Sequence, residues 1–303
     1  MPADPTTDLL LITCASGKQA TALLPLLSHW KCLRLAVHSA SSKSRLEQQY
    51  PHAEVIAADL YSPTTTLSLL KDVTACIHIG PSYHPHERSI GHMMIDAALL
   101  SPTLKHFILS SVLHTQLDKM LNHSCKRGVE ERLIESGLPY TILQPTTFMD
   151  NIPIGMLAGQ EQPVFPAAWS TDSKFSWIAT RDLAAAMHAV LVEREKHLYA
   201  QYPLVSTHGP LSFGEAMHII SSKISKDVKI EHLDFRKAVD SVLMRLYGMA
   251  EGIDQRTKDT AQRMILYYDN RGIVGNSNVL EWLIGRGATQ FDDWVDVKLG
   301  ELK

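Results

Sequence analysis

Residues 9–21 form the segment whose residue types and spacing are best suited to hold a phosphate group. A short apolar run ends in the loop 13–17 and opens into a helix-compatible stretch, and the first amides of a helix have no partner within it and attract anions. A dinucleotide loop of this kind normally carries three glycines. Only Gly17 remains here, with Cys14 and Ala20 in place of the first and third. If position 14 needs a positive φ, its Cβ costs strain and weakens phosphate binding.

Four further residues carry groups that can move a proton or polarise a bond. Ser111 closes one apolar run, Tyr83 follows another, and His123 and Lys126 share a polar segment. A lysine ammonium can polarise a carbonyl, and histidine or tyrosine can supply a proton to a reacting group. By their chemistry, Lys126, His123, Tyr83 and Ser111 are therefore candidate catalytic residues. The alternative for Ser111 is a simple turn or cap residue.

The position of Lys126 favours a functional lysine. Helical periodicity over residues 125–136 places it at a helix start, where the helix dipole disfavours a positive charge that has no ligand. Its alternative role is an ion pair with Glu130, one turn later in the same helix.

An alternation of strands and helices through about residue 145 must position these groups. Apolar runs predict strands at 9–13, 33–38, 55–58, 75–80, 106–111 and 140–144, with helical patterns between them. This order predicts an α/β fold, a doubly wound parallel sheet that binds ligands at the carboxyl ends of its strands. After Pro145 the pattern changes to proline-rich loops and helices. We predict a sheet domain over 1–150 and a smaller, mostly helical C-terminal substrate lobe over 151–303, interleaved with the sheet edge.

Composition and charge exclude several classes of function. The chain has 303 residues, 45% of them hydrophobic, and a net charge of -3 from 29 basic and 32 acidic residues. It has no basic patch for nucleic acid and no apolar run near the roughly 20 residues that span a bilayer. Its four cysteines lack the spacing of a disulfide framework or zinc site. We expect a cytoplasmic protein with a small-molecule substrate and neither nucleic acid nor membrane as partner.

Longer motifs follow one another along the whole chain. They are TCASGKQA at 13–20, ADLYSP at 58–63, KHFILSSV at 105–112, KRGVEERLIESGLPYTILQPTTFMDN at 126–151, FSWIATRDLAAAMHAVL at 175–191, GPLSFGEAMHIIS at 209–221 and GIVGNSNVLEWLIGRGATQFDDWV at 272–295. Together they resemble the NmrA-like branch of the atypical short-chain dehydrogenase/reductase superfamily. The resemblance implies a Rossmann domain that binds NADP or NAD, a small substrate lobe, and a monomer or homodimer.

The same resemblance implies which residues contact the cofactor. They are Thr13, Ala15, Ser16, Gly17, Lys18, Gln19, His38, Lys43, Asp59, Leu60, Gly80, Pro81 and Lys126. The family usually places an arginine after the second strand to grip the 2′-phosphate of NADP, where this chain has His38, with Lys43 or Arg45 as substitutes. No acidic residue stands there, so NADP(H) is favoured over NAD(H). Loss of cofactor binding is the alternative.

The substrate side departs from the family as well. The resemblance implies that Lys126 is the family's catalytic lysine and that Ser111 stands at the place of its substrate-orienting hydroxyl. Classical members also carry a tyrosine four residues before the lysine, where this chain has Asn122, so that His123 or Tyr83 would have to supply the proton. The resemblance places the loop 80–87 over the nicotinamide. Its histidines and Glu87 lack a third partner at metal-ligand spacing, so we interpret them as solvated loop residues and predict no metal. Predicted substrate-binding residues are His84, Phe148, Met149 and Trp177, and core packing is the alternative for the last three.

Three functions from different classes fit this sequence. The first is an NAD(P)-dependent reductase of a small carbonyl, enone or imine in secondary metabolism. The second is a redox-neutral isomerase, cyclase or dehydratase that keeps the pocket after nucleotide binding has decayed. The third is a non-catalytic NAD(P) sensor.

Overall fold

A seven-stranded parallel sheet lies at the centre of the computed structural model, which describes residues 2–302. Its strands are β1 (Leu10–Ile12), β2 (Leu33–Val37), β3 (Glu54–Ala57), β4 (Ala75–Ile79), β5 (His106–Ser110), β6 (Tyr140–Pro145) and β11 (Ala200–Leu204). The spatial order is β11-β6-β5-β4-β1-β2-β3. The first six strands and their parallel pairing confirm the sequence prediction. The seventh was not predicted, because AQYPL is too polar at its start to read as a buried strand.

Two hydrophobic cores lie on opposite faces of this sheet. Successive side chains of a strand point to opposite faces, so Leu10 and Ile12 of β1 belong to one core and Leu11 to the other. All three side chains are fully buried. The predicted doubly wound architecture is therefore confirmed.

Twelve α-helices lie within residues 2–302. They are α1 (Lys18–Leu23), α2 (Ala40–Gln49), α3 (Pro63–Leu70), α4 (Glu87–Leu99), α5 (Leu121–Glu135), α6 (Ile154–Gly159), α7 (Thr180–Val192), α8 (Phe213–Ile224), α9 (Phe235–Tyr247), α10 (Gln255–Asn270), α11 (Asn278–Ile284) and α12 (Phe291–Gly300). Helices α1, α7 and α11 pack together on one side of the sheet, and α3, α4 and α5 on the other. No helix in the described range is long and apolar enough to cross a bilayer.

Two helix starts differ from the sequence prediction, and both matter for function. Helix α5 begins at Leu121, not at 125, so Lys126 lies in its second turn. The helix-start argument for a functional Lys126 was therefore wrong. Helix α4 begins at Glu87, four residues earlier than predicted. Polar residues in a first turn break the apolar pattern, which is why periodicity alone starts these helices too late.

The second half of the chain forms a lobe beside the sheet and also returns to it. The lobe core gathers aromatic and aliphatic side chains from α8, α9, α10 and α12. Its short strands are β7 (Thr147–Phe148), β8 (Val164–Ala167), β9 (Lys174–Phe175), β10 (Trp177–Ile178), β12 (Leu211–Ser212) and β13 (Lys229–His232), which pair two by two. Strand β11 pairs with β6 in the central sheet. The division into 1–150 and 151–303 stays a prediction, although residues of both ranges build the sheet.

The strand order reverses between β1 and β4, which fixes where a ligand can lie. The chain proceeds from β1 outward through β2 and β3, then crosses back to β4 and continues in the other direction. Loops leaving the carboxyl ends of β1 and β4 must therefore diverge, and open α/β sheets bind ligands in the resulting crevice. The loop 13–17 follows β1, and the loop 80–86 follows β4.

Candidate functional site

The loop after β1 has the strained turn that the sequence predicts. Cys14 has φ +48°, a left-handed conformation that costs a residue with a Cβ about 1–2 kcal/mol. Its carbonyl oxygen accepts a hydrogen bond from the amide of Gly17 at 2.9 Å. Burial raises the pKa of the Cys14 thiol to about 11, so the side chain is a neutral thiol. The positive φ on which the predicted strain depends is therefore present, and weaker phosphate binding stays a prediction.

A pair of substitutions at position 14 measures this strain. Cys14→Gly is expected to have a free energy of unfolding about 1 kcal/mol higher than Cys14→Ala. Glycine adopts the left-handed conformation without steric cost, whereas alanine still has a Cβ and retains that cost. Ala15→Gly, at the next residue, is the control and should lose about 0.5–1 kcal/mol in the usual direction. Urea unfolding of the three variants decides the question, and an alanine at 14 that equals glycine would contradict the assignment of strain.

Side chains in the first turn of α1 form hydrogen bonds with the segment after β7 and with the end of β5. The Lys18 ammonium donates to the carbonyl oxygen of Asp150 at 2.8 Å and to Oδ1 of Asn151 at 3.0 Å. The hydroxyl of Ser110 donates to Oε1 of Gln19 at 2.6 Å. Lys18 thus bridges the sheet domain to the lobe, and its role as a phosphate ligand stays a prediction.

Two of the predicted cofactor residues, Thr13 and Leu60, are buried inside the protein. The hydroxyl of Thr13 donates to the carbonyl oxygen of Ile79 at 3.0 Å, which joins the ends of β1 and β4. Leu60 is buried in the core beneath α3 and α4. Direct contact with a cofactor stays a prediction for both residues.

The outer part of the crevice lies beyond β2 and β3. His38 is exposed at the end of β2, and Lys43 is 3.7 Å from Glu47 on the solvent face of α2. The Asp59 carboxylate accepts the amide of Tyr61 at 2.8 Å. An exposed ion pair of this kind is worth little, so Lys43 is free to exchange partners.

The loop after β4 holds Tyr83 in a second strained conformation. Tyr83 has φ +66°. Its amide donates to Oε2 of Glu87 at 3.0 Å, and its carbonyl oxygen accepts the hydroxyl of Thr257 at 2.8 Å. The phenol donates to the sulfur of Met264. Burial raises the Tyr83 pKa above its ordinary value, so the phenol is a neutral hydrogen-bond donor aimed at a weak acceptor.

Lys126 forms an ion pair that joins α5 to α4. Its Nζ lies 2.7 Å from Oε1 of Glu87, with side-chain exposures of 14% and 4%. The alternative partner is wrong: Glu130 instead accepts the hydroxyl of Thr115 and the amide of Gln144, each at 2.9 Å. The interpretation of Glu87 as a solvated loop residue is wrong as well, because the earlier helix start turns it inward.

A cavity of about 310 Å³ separates the sheet edge from the lobe. On the sheet side its wall includes Gln19, Tyr83, Ser111, Asn122, His123 and Lys126, and on the lobe side Phe148, Phe165, Trp169, Trp177, Phe213 and Tyr268. All four predicted catalytic residues therefore meet in one wall. Phe148 and Trp177 are among the lining residues, whereas Met149 and His84 are not. Trp177 is as fully buried in the lobe core as Met149, and substrate contact stays a prediction for all four residues. The wide aromatic wall suits a planar apolar ligand.

Three buried polar atoms in the cavity wall have no hydrogen-bond partner within residues 2–302. They are Oγ of Ser111, Oδ1 of Asn122 and Nε2 of His123. Leaving a buried polar atom unpaired costs about 1–3 kcal/mol, and such costs persist at sites where a ligand completes the bond. Burial lowers the pKa of His123 to about 4, so its ring is neutral near pH 7.

Asn122, Glu87 and Arg245 were not among the predicted site residues. Asn122 and Arg245 line the cavity, and Glu87 pairs with Lys126. The Asn122 position, one residue before His123 and four before Lys126, was the available signal. Helix periodicity counted from Leu121 places these three side chains on one side of α5. The described residues contain no group of three or more His, Cys, Asp or Glu side chains that could hold a metal ion.

Comparison with known proteins agrees with this geometry. A model of the family described as NAD(P)H-binding matches residues 14–194. This chain belongs to the NAD(P)H-binding family. The match starts in the loop after β1 and ends beyond α7, so it includes both sides of the crevice.

Several relatives share most of the chain. An NAD(P)H azoreductase from Xenophilus azovorans is 25% identical over 246 residues, which cover 81% of this chain and 83% of that protein. An NADPH-dependent quinone oxidoreductase from Escherichia coli, solved with NADPH, has a TM-score of 0.76 at 20% identity and covers 96% of this NAD(P)H-binding protein and 100% of that chain. The negative transcriptional regulator NmrA, solved with NADP, has a TM-score of 0.73 at 16% identity and covers 95% and 94%. The resemblance to NmrA-like proteins is confirmed at the level of the fold.

Proposed function

We propose that this protein is an NAD(P)H-dependent reductase of a small aromatic or conjugated substrate, which binds in the cavity between the sheet edge and the lobe. The observation that carries the proposal is the wall of that cavity. Lys126 and the unpaired groups of Ser111, Asn122 and His123 lie on its sheet side, beside the loops that flank the crevice. The azoreductase and quinone oxidoreductase activities of the relatives support reduction.

The residues around the crevice fit a dinucleotide. Gly17 suits the tight turn of the loop after β1, since a Cβ there would lie 3.2 Å from the carbonyl oxygen of Cys14, a close contact that glycine avoids. The first amides of α1 have no acceptor within the helix and remain for a phosphate. Lys126 would hold the ribose hydroxyls at the nicotinamide end. When bound, the reduced nicotinamide supplies a hydride.

The chain's own residues would orient the substrate and handle the proton. The Ser111 hydroxyl, free of any protein acceptor, donates to the carbonyl oxygen or nitrogen that is being reduced. The Lys126 ammonium, fixed by Glu87, stabilises negative charge that develops there. Tyr83 is our candidate proton donor, because it lines the cavity and its neutral phenol donates to a thioether, which is a weak acceptor. Aromatic side chains of the lobe exclude water.

Charge around the outer crevice favours NADPH over NADH. His38 is exposed, Lys43 has only a weak partner at 3.7 Å, and no acidic residue follows β2 directly. A 2′-phosphate would form a charged hydrogen bond with the Lys43 ammonium, which strengthens binding of NADPH. The ribose hydroxyl of NADH carries no charge and forms no such bond.

Cofactor titration tests the proposed function. The purified full-length chain is titrated by calorimetry with NADPH, NADH and the oxidised forms. We expect NADPH to bind about tenfold more tightly than NADH, the effect of one added charged hydrogen bond. Lys43→Gln should abolish that difference, while Lys71→Gln, at the far end of α3, should not. Absence of binding for all four forms would overturn the reductase, and substrate turnover without any nucleotide would establish the redox-neutral alternative.

A further inference from the structure

The ring of His123 is held in one tautomer. Its Nδ1 lies 2.9 Å from the carbonyl oxygen of His114, and a carbonyl oxygen can only accept, so Nδ1 carries the hydrogen. His114 is itself fixed. It has φ +59°, and its ring contacts the carbonyl oxygen of Val274 at 2.7 Å. The neutral ring of His123 therefore presents a lone pair at Nε2.

That lone pair has no partner, and the residue that carries it belongs to the wall of the cavity. His123 is fully buried, it lines the cavity, and its Nε2 has no hydrogen-bond partner within residues 2–302. Of the other two unpaired atoms in the wall, the hydroxyl of Ser111 can donate or accept, whereas Oδ1 of Asn122 can only accept. Nε2 of His123 and Oδ1 of Asn122 are therefore both restricted to the role of acceptor.

We propose that the cavity selects a planar aromatic substrate that carries a hydroxyl or N–H group, which donates a hydrogen bond to Nε2 of His123. The proposal rests on the proposed function in taking this ligand to be the substrate. A carbonyl or azo group of the same molecule then meets the hydroxyl of Ser111. His123 is a specificity-determining residue that accepts, not the proton donor that the sequence suggests.

The rest of the wall supports this class of ligand. Trp177 and Phe213 stand with ring centroids 4.7 Å apart, and Trp169 and Tyr268 are 5.2 Å apart. These rings give a planar ligand aromatic contacts on the lobe side. A ligand without a donor leaves Nε2 desolvated, and sites built for a hydrogen bond reject such analogues strongly.

A matched pair of redox-inert probes tests the proposal. Binding of 2-naphthol and 2-methoxynaphthalene to the cofactor-free full-length protein is measured by calorimetry. We expect 2-naphthol to bind at least about tenfold more tightly, because the ether has no hydrogen to donate. His123→Phe should remove this preference. Thr146→Val is the control, since Thr146 also lines the cavity but already donates to the carbonyl oxygen of Ser176 at 3.1 Å.

Nitrogen NMR of the wild-type ring gives a second readout that needs no variant. Nε2 of His123 should show the shift of an unprotonated nitrogen and move on addition of 2-naphthol but not of the ether. Equal affinities for the two probes, including no binding of either, would overturn the proposal, as would a preference that survives His123→Phe or an Nε2 that carries the hydrogen. Cofactor binding is measured separately, so a failure of the reductase function and a failure of this subsite give different results.

Discussion

Lys126→Met is expected to lower the rate of substrate reduction about 100- to 1,000-fold, the usual effect of removing one preorganised group that stabilises developing charge. The ammonium lies in the cavity wall and is only 14% exposed, so water cannot replace it efficiently. Methionine keeps the length and apolar stem of the side chain but removes the charge. Steady-state kinetics with NADPH and a quinone or azo acceptor measures the loss, which should appear mainly in kcat.

The ion pair with Glu87 requires a control, because the same substitution leaves a buried carboxylate alone. Breaking one side of a buried pair costs about 3–5 kcal/mol of stability, and Glu87 is 4% exposed. The double variant Lys126→Met with Glu87→Gln should recover most of that stability in urea unfolding. The side-chain oxygen of the glutamine can still accept the hydrogen bond from the backbone N–H of Tyr83. It should not recover the rate. A double variant that regains both would show that Lys126 acts only as a structural counter-ion.

Mild acid is expected to destabilise the protein steeply between about pH 6.5 and pH 5, through its buried histidines. Burial lowers the pKa of His78 and His106 to about 3 and that of His123 to about 4. In the unfolded chain these rings titrate near pH 6.5. Below that pH the unfolded state binds protons that the folded state does not. The stabilising effect of the neutral rings is therefore complete above about pH 6.5 and is lost progressively as the pH falls toward 4.

The size of this effect follows from the number of rings. Each contributes a slope of at most about 1.4 kcal/mol per pH unit, so three give at most about 4 kcal/mol per unit, against a typical total stability of about 5–15 kcal/mol. Urea midpoints measured from pH 7 to 5 should fall steeply. Across this range most carboxylates of the unfolded chain remain ionised, so histidines dominate the change.

His106→Gln isolates one of the three rings far from the cavity. Thr141 donates its hydroxyl hydrogen to the carbonyl oxygen of His197, so Nε2 of His106 must donate to Thr141, at 2.8 Å. A glutamine amide can make the same donation and never takes up a proton. The slope should fall by at most about 1.4 kcal/mol per pH unit. The exposed-site control His52→Gln should leave it unchanged, and an unchanged slope in His106→Gln would refute the assignment.

The fold was predictable because its signals are local and repeated. Buried strands such as ACIHI of β4 are continuous apolar runs, and parallel sheets require crossover helices between them. The strain at Cys14 was predictable too, because a missing glycine in a tight turn has one backbone consequence. The predictions that failed were those of helix starts. Polar first turns hid the starts of α4 and α5, and so the neighbours of Glu87 and Lys126 were assigned incorrectly.

The sequence by itself determined the parallel α/β sheet, the crevice at its carboxyl edge and the set of residues able to do chemistry there. Only the tertiary structure decided their roles. Glu87 and Lys126 come from different helices and meet through packing of α4 on α5. His123 becomes an acceptor because the backbone of His114, nine residues earlier, takes its other nitrogen. Such assignments depend on hydrogen-bond distances of about 3 Å between residues that are distant in the sequence. The hydrophobic periodicity of a sequence does not determine these distances.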